Sequence, residues 1–421
     1  MIQKYFYCVL FLFVCSLSFS QNNVVADIKV QGNKRLKTSF VKKIASVKPN
    51  MPLDSLRLDE DMETLKRLPS VSHAYYHIYK TDEGSYEIVY NIEESFTLIP
   101  SPSIYTTNND EFAFRIGLTE FNLLGRNIGL GAFYQHDVYD SYAVNFRAPF
   151  LFSRRFGLAF NYQDLTTLEP VFFNNDSADY KYNNESVELL GLYKIDFKNR
   201  VEVGANYFTE NYSYVSGATD PNVPQGLNVH KWLAKFIYEH NNLKYHYQYV
   251  SGFRNVFNFQ YVTSTNDMLP DFHIAWDDLF YFKRIGTKGN WANRMRIGIS
   301  SNDKTPFAPF SVDNNINIRG VGNTIDRGTG SIVFNTEYRH TLVDKHNIVL
   351  QSNVFVDSGT WRLPGGSLSN FTDSNNIKVY TGLGFRVIHK KIFNAIFRLD
   401  YGVGLTQDAT RGIVFGIGQY F

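Results

Sequence analysis

The sequence of 421 residues has little cysteine, and its two cysteines, Cys8 and Cys15, both lie near its start. Beyond them there is no thiol, which excludes disulfides and cysteine-bound metals from the rest of the chain. After residue 20 there is also no apolar run of about 18 residues, which disfavours helical membrane spans. The 42 Lys and Arg residues nearly balance 40 Asp and Glu. Such near-neutrality disfavours a nucleic-acid-binding function.

The start of the chain predicts a secretory signal peptide over residues 1–20. A lone Lys4 precedes a long apolar run, and the small residue Ser20 ends the segment. A lipoprotein signal ending at Cys15 is an alternative, but Val14 occupies a place where a small residue is expected. We therefore expect the mature chain to be exported.

Aromatic residues are abundant, at 16% of the chain, yet the mean hydropathy is only -0.26. A transmembrane β-barrel has this composition, because lipid-facing apolar residues alternate with lumen-facing polar residues along every strand. The composition thus favours a membrane protein that crosses the bilayer with strands.

Residues 22–95 predict a small α+β domain with the element order β-α-α-β-β. The stretch "VVADIKVQGNKRL" predicts a strand and a turn, two segments with helical spacing follow, and "VSHAYYHIYK" and "GSYEIVYNIEE" alternate as strands. This order and the "IKVQGNKRL" opening resemble a POTRA domain of the BamA/TamA outer-membrane superfamily. An unrelated α+β domain is the alternative.

Residues 97–421 predict sixteen strands, from the first near 98–105 to the last near 412–421. In "SIVFNTEYRHTL", Phe334 lies on one face of the strand, while Glu337 and Arg339 lie on the other. The four longest predicted connections all follow odd-numbered strands, as they do in an antiparallel barrel, whereas a soluble sandwich would mix long and short connections. These four connections are residues 166–181, 213–228, 302–330 and 358–377.

Several motifs in this region also resemble the superfamily. They include "NLLGRN" and "FRAPFLFSRR" early on, and "IRGVGN", "NTEYR", "FVDSG", "GLGFRV", "RLDYG" and "GQYF" later. The resemblance implies an α+β POTRA domain followed by a 16-stranded antiparallel transmembrane β-barrel in the outer membrane of a Gram-negative bacterium, with the POTRA domain in the periplasm.

The resemblance assigns Arg319 and Gly320 to the tip of a long loop that folds into the barrel. Val321 departs from the aromatic residue usual in the family. A buried guanidinium needs carboxylate partners, and the inward-facing Glu337 and Asp357 are the best candidates. Gly320 and Gly322 would let the backbone approach the wall. We expect these residues to form a lumen latch; an ordinary solvated loop arginine is the alternative.

The first and last strands predict a weak lateral seam. Pro100 and Pro102 lack the N–H that a strand ladder requires, and Gly416 and Gly418 weaken the last strand. An opening seam would expose strand edges to which a polypeptide could add. The alternative is that the prolines mark a linker before the strand begins.

The end of the chain resembles the aromatic signal of outer-membrane barrels, with Phe415, Ile417 and Phe421 expected on one lipid-facing side. Catalytic patterns are scarce: G-x-S-x-G does not occur. The pairs His73/His77 and His240/His246 have no acidic partner at metal-binding spacing. We expect no enzymatic activity, no catalytic residue, no metal and no cofactor.

The resemblance implies insertion or translocation of proteins at an outer membrane. Expected partners are outer-membrane lipids, unfolded outer-membrane or secreted client proteins, and periplasmic or lipoprotein accessory factors, with no nucleic acid. Two alternatives remain at this point: a secretion pore for a dedicated partner protein, and a passive outer-membrane barrel.

Overall fold

The computed structural model describes residues 23–106, 112–173, 176–221, 223–265, 270–303, 308–312, 317–321, 326–406 and 409–421. The predicted signal peptide with its two cysteines, and Gly322, lie outside the described residues. None of the described helices is both long and apolar enough to cross a membrane.

The N-terminal domain has the predicted element order. It consists of β1 (Val25–Gln31), α1 (Thr38–Ile44), α2 (Ser55–Lys66), β2 (Val71–Lys80) and β3 (Tyr86–Glu94). The sheet order is β1-β3-β2, with β1 parallel to β3 and β2 antiparallel to it. One apolar core lies between the helices and the sheet, and it includes Val41, Leu58, Leu65, Ile88 and Tyr90.

A buried carboxylate ties the two helices of this domain to its sheet. Asp61 of α2 accepts hydrogen bonds from the backbone N–H groups of Ser46 and Val47, at 2.7 and 3.1 Å, and from the Tyr90 hydroxyl at 2.8 Å. Burial and the neighbouring Asp61 raise the pKa of Tyr90, so this hydroxyl remains a donor.

We expect Asp61→Ala to destabilise the N-terminal domain by about 2–4 kcal/mol, because three buried donors would lose their acceptor. Asp59→Ala is the control, because Asp59 is exposed and accepts only from the Tyr76 hydroxyl among the contacts described. Hydrogen exchange of residues 40–65 in the full chain measures the effect. Equal protection in the two variants would contradict the prediction.

The remaining strands form a ring of sixteen long strands among the described residues, with one additional strand of three residues beside them. They are β4 (Leu98–Thr106), β5 (Phe112–Leu123), β6 (Ile128–Asp137), β7 (Tyr139–Ala148), β8 (Phe156–Phe173), β9 (Asp176–Lys194), β10 (Asn199–Gly217), β11 (Gly226–Asn241), β12 (Lys244–His246), β13 (Tyr249–Ser264), β14 (Phe272–Ile285), β15 (Gly289–Ser300), β18 (Gly330–Lys345), β19 (Ile348–Arg362), β20 (Lys378–His389), β21 (Ile396–Gly404) and β22 (Arg411–Ile417). Between β15 and β18, the strands β16 (Phe310–Val312) and β17 (Asp326–Gly328) pair with each other. The fold class predicted from the sequence is confirmed.

Two predicted loops have wrong bounds. Residues 166–173 and 176–181 lie in strands, because β8 extends to Phe173 and β9 begins at Asp176. The predicted loop 213–228 is shortened to residues 218–225, because β10 extends to Gly217 and β11 begins at Gly226. The connections 301–329 and 363–377 remain long and leave the same end of the barrel. The N-terminal domain contacts the opposite end, which we call the domain-side end.

Side chains alternate between the two faces of the barrel wall. On β18, Phe334 and Tyr338 are exposed outward, whereas Asn335, Glu337 and Arg339 are buried inside. The inner face therefore holds charges that lipid would reject, which is the arrangement expected of a bilayer-spanning barrel.

Candidate functional site

A loop tip enters the barrel and places one arginine at its centre. The hairpin β16–β17 supports the tip, residues 317–321, in which Ile318, Arg319 and Val321 are buried. Ile318 and Val321 pack with Trp361 and Tyr380 of the wall. The apolar Val321, which departs from the family pattern, thus has an apolar site of its own.

Arg319 binds the two carboxylates that the sequence suggested. Its Nε and one terminal nitrogen donate to the two oxygens of Asp357, at 2.8 and 2.9 Å, and its other terminal nitrogen donates to Glu337 at 2.6 Å. The backbone N–H of Arg319 also donates to Asp357, at 3.0 Å. A planar, five-donor group suits this double contact in a way that lysine does not.

These residues belong to a larger buried group, which we call the lumen cluster: Arg319, Glu337, Arg339, Asp357, Arg386, Arg398 and Asp400. Glu337 also accepts from Arg339 and, at 2.9 and 3.0 Å, from Arg386. Asp400 accepts from Arg398 at 3.3 Å. Within this cluster, four guanidinium groups face three carboxylates.

Aromatic faces complete the surroundings of Arg319. Its guanidinium carbon lies 3.6 Å from the ring centre of Phe355 and 4.4 Å from that of Tyr420. Cations are attracted to the negative faces of aromatic rings, and more strongly where water is excluded. Arg386, Asp400 and Tyr420 were not predicted from the sequence to be members of this group.

Glycines create the contact between tip and wall. Gly320 has a φ of +92°, and a Cβ there would lie 2.7 Å from the carbonyl carbon of Gly402 on β21. A Cβ on Gly402 would in turn lie 2.4 Å from the carbonyl oxygen of Arg319. Thr410 donates to the carbonyl oxygens of Gly320 and Val321, at 3.1 and 2.9 Å. The tip thus lies backbone to backbone against the wall.

The ring closes where β22 adjoins β4. Just before β4, the N–H of Phe96 donates to the carbonyl oxygen of Lys391 at 2.7 Å, and its carbonyl oxygen accepts from the N–H of Phe393 at 3.0 Å.

The two prolines face this seam. The carbonyl of Thr97 bonds toward β5, to the N–H of Phe121, whereas Phe96 bonds to the opposite side. Because the polar groups of successive strand residues point alternately to the two neighbours, Pro100 and Pro102 direct their missing donors toward β22. Both prolines also lie within the β4–β5 register, so they belong to the strand and not to a linker before it.

Gly416 and Gly418, which were expected to weaken the last strand, have two separate structural roles. A Cβ on Gly416 would lie 2.5 Å from the Arg398 guanidinium, so Gly416 leaves room for a member of the lumen cluster. Gly418 has a φ of +91° and follows the end of β22. It marks the point where the chain leaves the wall.

The expected lipid-facing position of Phe421 is wrong. Phe415 and Ile417 are exposed outward, as predicted, but the turn at Gly418 carries Tyr420 and Phe421 inward. Phe421 packs beside the buried Leu243, Phe282 and Ala292, and one of its main-chain oxygens accepts from Arg339 at 3.2 Å. The positive φ of Gly418 interrupts the alternation from which the prediction was made.

The N-terminal domain docks on four turns of the barrel's domain-side end. The backbone N–H of Lys37 donates to Gly125 at 2.9 Å, and Lys43 donates to the carbonyl of Phe150 at 2.8 Å. The Arg67 guanidinium donates to the carbonyls of Phe197, Asn241 and Leu243, at 3.2, 3.2 and 3.0 Å. These contacts involve the turns after β5, β7, β9 and β11, which together make up about half of the ring.

We expect Arg67→Ala to loosen this docking, because one guanidinium serves three carbonyl acceptors and also lies 4.4 Å from the Phe197 ring centre. The cost should be about 1.5–3 kcal/mol, the range for hydrogen bonds to a charged group. Hydrogen exchange of residues 195–198 and 242–248 is the measurement. Arg57→Ala on the same helix is the control, since Arg57 is half exposed and pairs only with Asp54 in the described contacts. Equal exchange in both variants would refute the role of Arg67.

The described residues contain no group of three or more His, Asp or Glu side chains that could hold a metal ion. The ring of His73 instead stacks on Tyr247, with centres 4.8 Å apart, and His240 contacts Asn199 at 2.8 Å. His73 and His240 therefore contact neighbouring side chains of the protein.

Comparisons with known proteins agree with this architecture. A family model described as POTRA, surface antigen variable number repeat, matches residues 23–95. BamA from Haemophilus ducreyi lacking POTRA domains 1–3 is 14% identical, with 93% of this chain and 83% of that chain covered and a TM-score of 0.54.

Two CdiB structures are similar as well. CdiB from Acinetobacter baumannii is 16% identical, with coverages of 94% and 73% and a TM-score of 0.60. CdiB from Escherichia coli is 11% identical, with coverages of 94% and 75% and a TM-score of 0.63. A search of curated protein sequences finds no match. At these identities the likeness establishes the fold.

Proposed function

We propose that this chain, which has a POTRA domain and the fold of the BamA/TamA outer-membrane superfamily, inserts or translocates proteins at the outer membrane of a Gram-negative bacterium. The single observation that carries the proposal is the β4–β22 seam, where Pro100 and Pro102 direct their missing N–H donors toward β22. A client strand could add to the edges of such a seam by backbone hydrogen bonding.

In this proposal the loop tip is a latch that fills the lumen, and Arg319, Gly320, Glu337 and Asp357 hold it. No residue acts as a catalyst. Because no nucleotide energy is involved, the energy for insertion would come from the client, which gains strand pairing and lipid burial as it folds.

The POTRA domain would lie in the periplasm and receive clients before they reach the barrel. The edge strand β2 of its sheet supports this role, because Tyr75 and Tyr79 are exposed there. The outward apolar residues of the barrel, such as Leu383 and Ile413, would contact outer-membrane lipids.

Depletion of the protein followed by quantitative proteomics of the outer membrane tests the proposal. Loss of several barrel proteins supports insertion, and loss of a single exported protein supports secretion of a dedicated partner. Unchanged outer-membrane composition would overturn both and leave a passive barrel. Complementation with the wild-type chain is the control.

Secretion through the lumen is the second candidate, since the likeness to BamA and CdiB concerns the fold and does not choose between the two functions. Arg319→Ala should open a large, steady pore under both functions, because it releases the tip that fills the lumen. Conductance in planar bilayers therefore separates the two functions when the partner is added: under secretion, the partner should enter the pore of this variant. The buried lumen cluster, which joins the tip to the wall, favours a closed resting lumen.

A further inference from the structure

We propose that Tyr420 couples the loop latch to the seam, so that docking of the loop tip and the position of the last strand form one switch. The inference rests on the proposed function, because it describes how the seam would be regulated. It concerns residues 418–421, which the sequence predicted to be part of the last strand.

The first step is geometric. β22 ends at Ile417, and Gly418 turns the chain inward while its N–H donates to the carbonyl of Ile396 at 2.7 Å. Only two residues therefore separate the last strand of the seam from the Tyr420 ring. A movement of β22 would displace this ring, and a held ring would restrain β22.

The second step is electrostatic. The Tyr420 ring contacts two guanidinium groups, with its centre 4.4 Å from the carbon of Arg319 and 4.8 Å from that of Arg398. Arg319 belongs to the loop tip, and Arg398 belongs to β21, the register partner of β22. Because cations are attracted to the face of an aromatic ring, the ring adds to each guanidinium group an attraction beside that of the carboxylates.

The third step concerns burial. Tyr420 and Arg319 are both buried, so withdrawal of the tip would leave the ring facing the space that Arg319 had filled. The ring would then keep only Arg398 of these two cations. Departure of the tip should therefore loosen the end of β22, and displacement of β22 should weaken the docking of the tip.

Electron paramagnetic resonance distances across the seam test this coupling in the purified full chain. Spin labels on cysteines at Leu98 and Ile413 report the separation of β4 and β22, and the sequence has no other cysteine after residue 20. We expect a narrow distance distribution in the parent protein. Arg319→Ala and Tyr420→Leu should each cause loss of the narrow peak, and the double variant should add nothing further.

Tyr420→Phe retains the ring face and should retain the narrow peak. Phe385→Leu is the matched control, because Phe385 is an aromatic residue exposed on the outside of β20. A narrow peak in Tyr420→Leu would overturn the proposal, whether or not Arg319→Ala loses it. Additive effects of the two substitutions would overturn it as well.

A second measurement reports the coupling from the other side and does not depend on the labels. Hydrogen exchange of residues 317–321 should become faster in Tyr420→Leu but not in Phe385→Leu. Neither measurement uses a client protein. The depletion experiment can therefore fail while the coupling holds, and the coupling can fail while depletion shows a loss of barrels.

Discussion

Replacing Arg319 by alanine should release the loop tip from the barrel while leaving the wall folded. The substitution removes three bonds to Asp357 and Glu337 from the side chain, and it leaves Asp357 with the Asn335 amide as its described side-chain donor. Loss of one partner of a buried ion pair costs about 3–5 kcal/mol. Because the tip belongs to a loop, this cost falls on docking and not on the strand ladders.

A cost of about 3–5 kcal/mol corresponds to a shift of roughly a hundredfold to a few thousandfold in the docking equilibrium. Hydrogen exchange of residues 317–321 measures this shift, because the Arg319 N–H bonds to Asp357 only in the docked state. Heat-induced unfolding of the barrel in detergent should change much less. Undiminished protection of the tip in Arg319→Ala would show that other contacts hold it.

Arg319→Lys is the matched control for charge. It keeps a cation at the centre of the cluster but loses the planar fork that reaches two carboxylates at once. We expect exchange of the tip to be intermediate between the parent protein and Arg319→Ala. If the lysine variant behaved as the parent protein does, charge alone would account for docking.

The strand period made part of the site predictable from the sequence. Glu337 and Asp357 lie on polar faces of strands that alternate strictly, so their inward direction followed from position alone. Arg386 and Asp400 alternate in the same way, but their proximity to Arg319 depends on how far each neighbouring strand is shifted. No local pattern encodes that shift.

Backbone geometry explains the wrong predictions. Residues such as Asp179 and Lys181 were predicted to lie in a loop, yet strands that continue beyond lipid need no apolar face, and β9 extends through them. The predicted direction of Phe421 assumed a continuous strand, which the positive φ of Gly418 ends. In both cases side-chain polarity was an incomplete guide to where a strand begins or ends.

A methyl group at residue 402 should expel the loop tip without removing any charge. The Cβ of Gly402→Ala would lie 2.4 Å from the Arg319 carbonyl oxygen and 2.8 Å from its carbonyl carbon. Both atoms belong to the backbone, so rotation of a side chain cannot relieve the overlap. Close packing makes such insertions destabilising by about 1–3 kcal/mol.

Gly412→Ala provides the control, because Gly412 is the register partner of Gly402 on β22. A Cβ there would lie 3.6 Å from the carbonyl oxygen of Gly320, which is ordinary van der Waals contact. We expect faster hydrogen exchange of residues 317–321 in Gly402→Ala and unchanged exchange in Gly412→Ala. If the tip stays protected in both variants, β21 must shift to accommodate the added methyl group. Close backbone packing at Gly402 would then not be required for docking of the tip. Release of the tip in Gly402→Ala, which retains every charge, would show that the ion pairs of the lumen cluster are not sufficient for docking. The absence of a side chain at residue 402 would then be required as well.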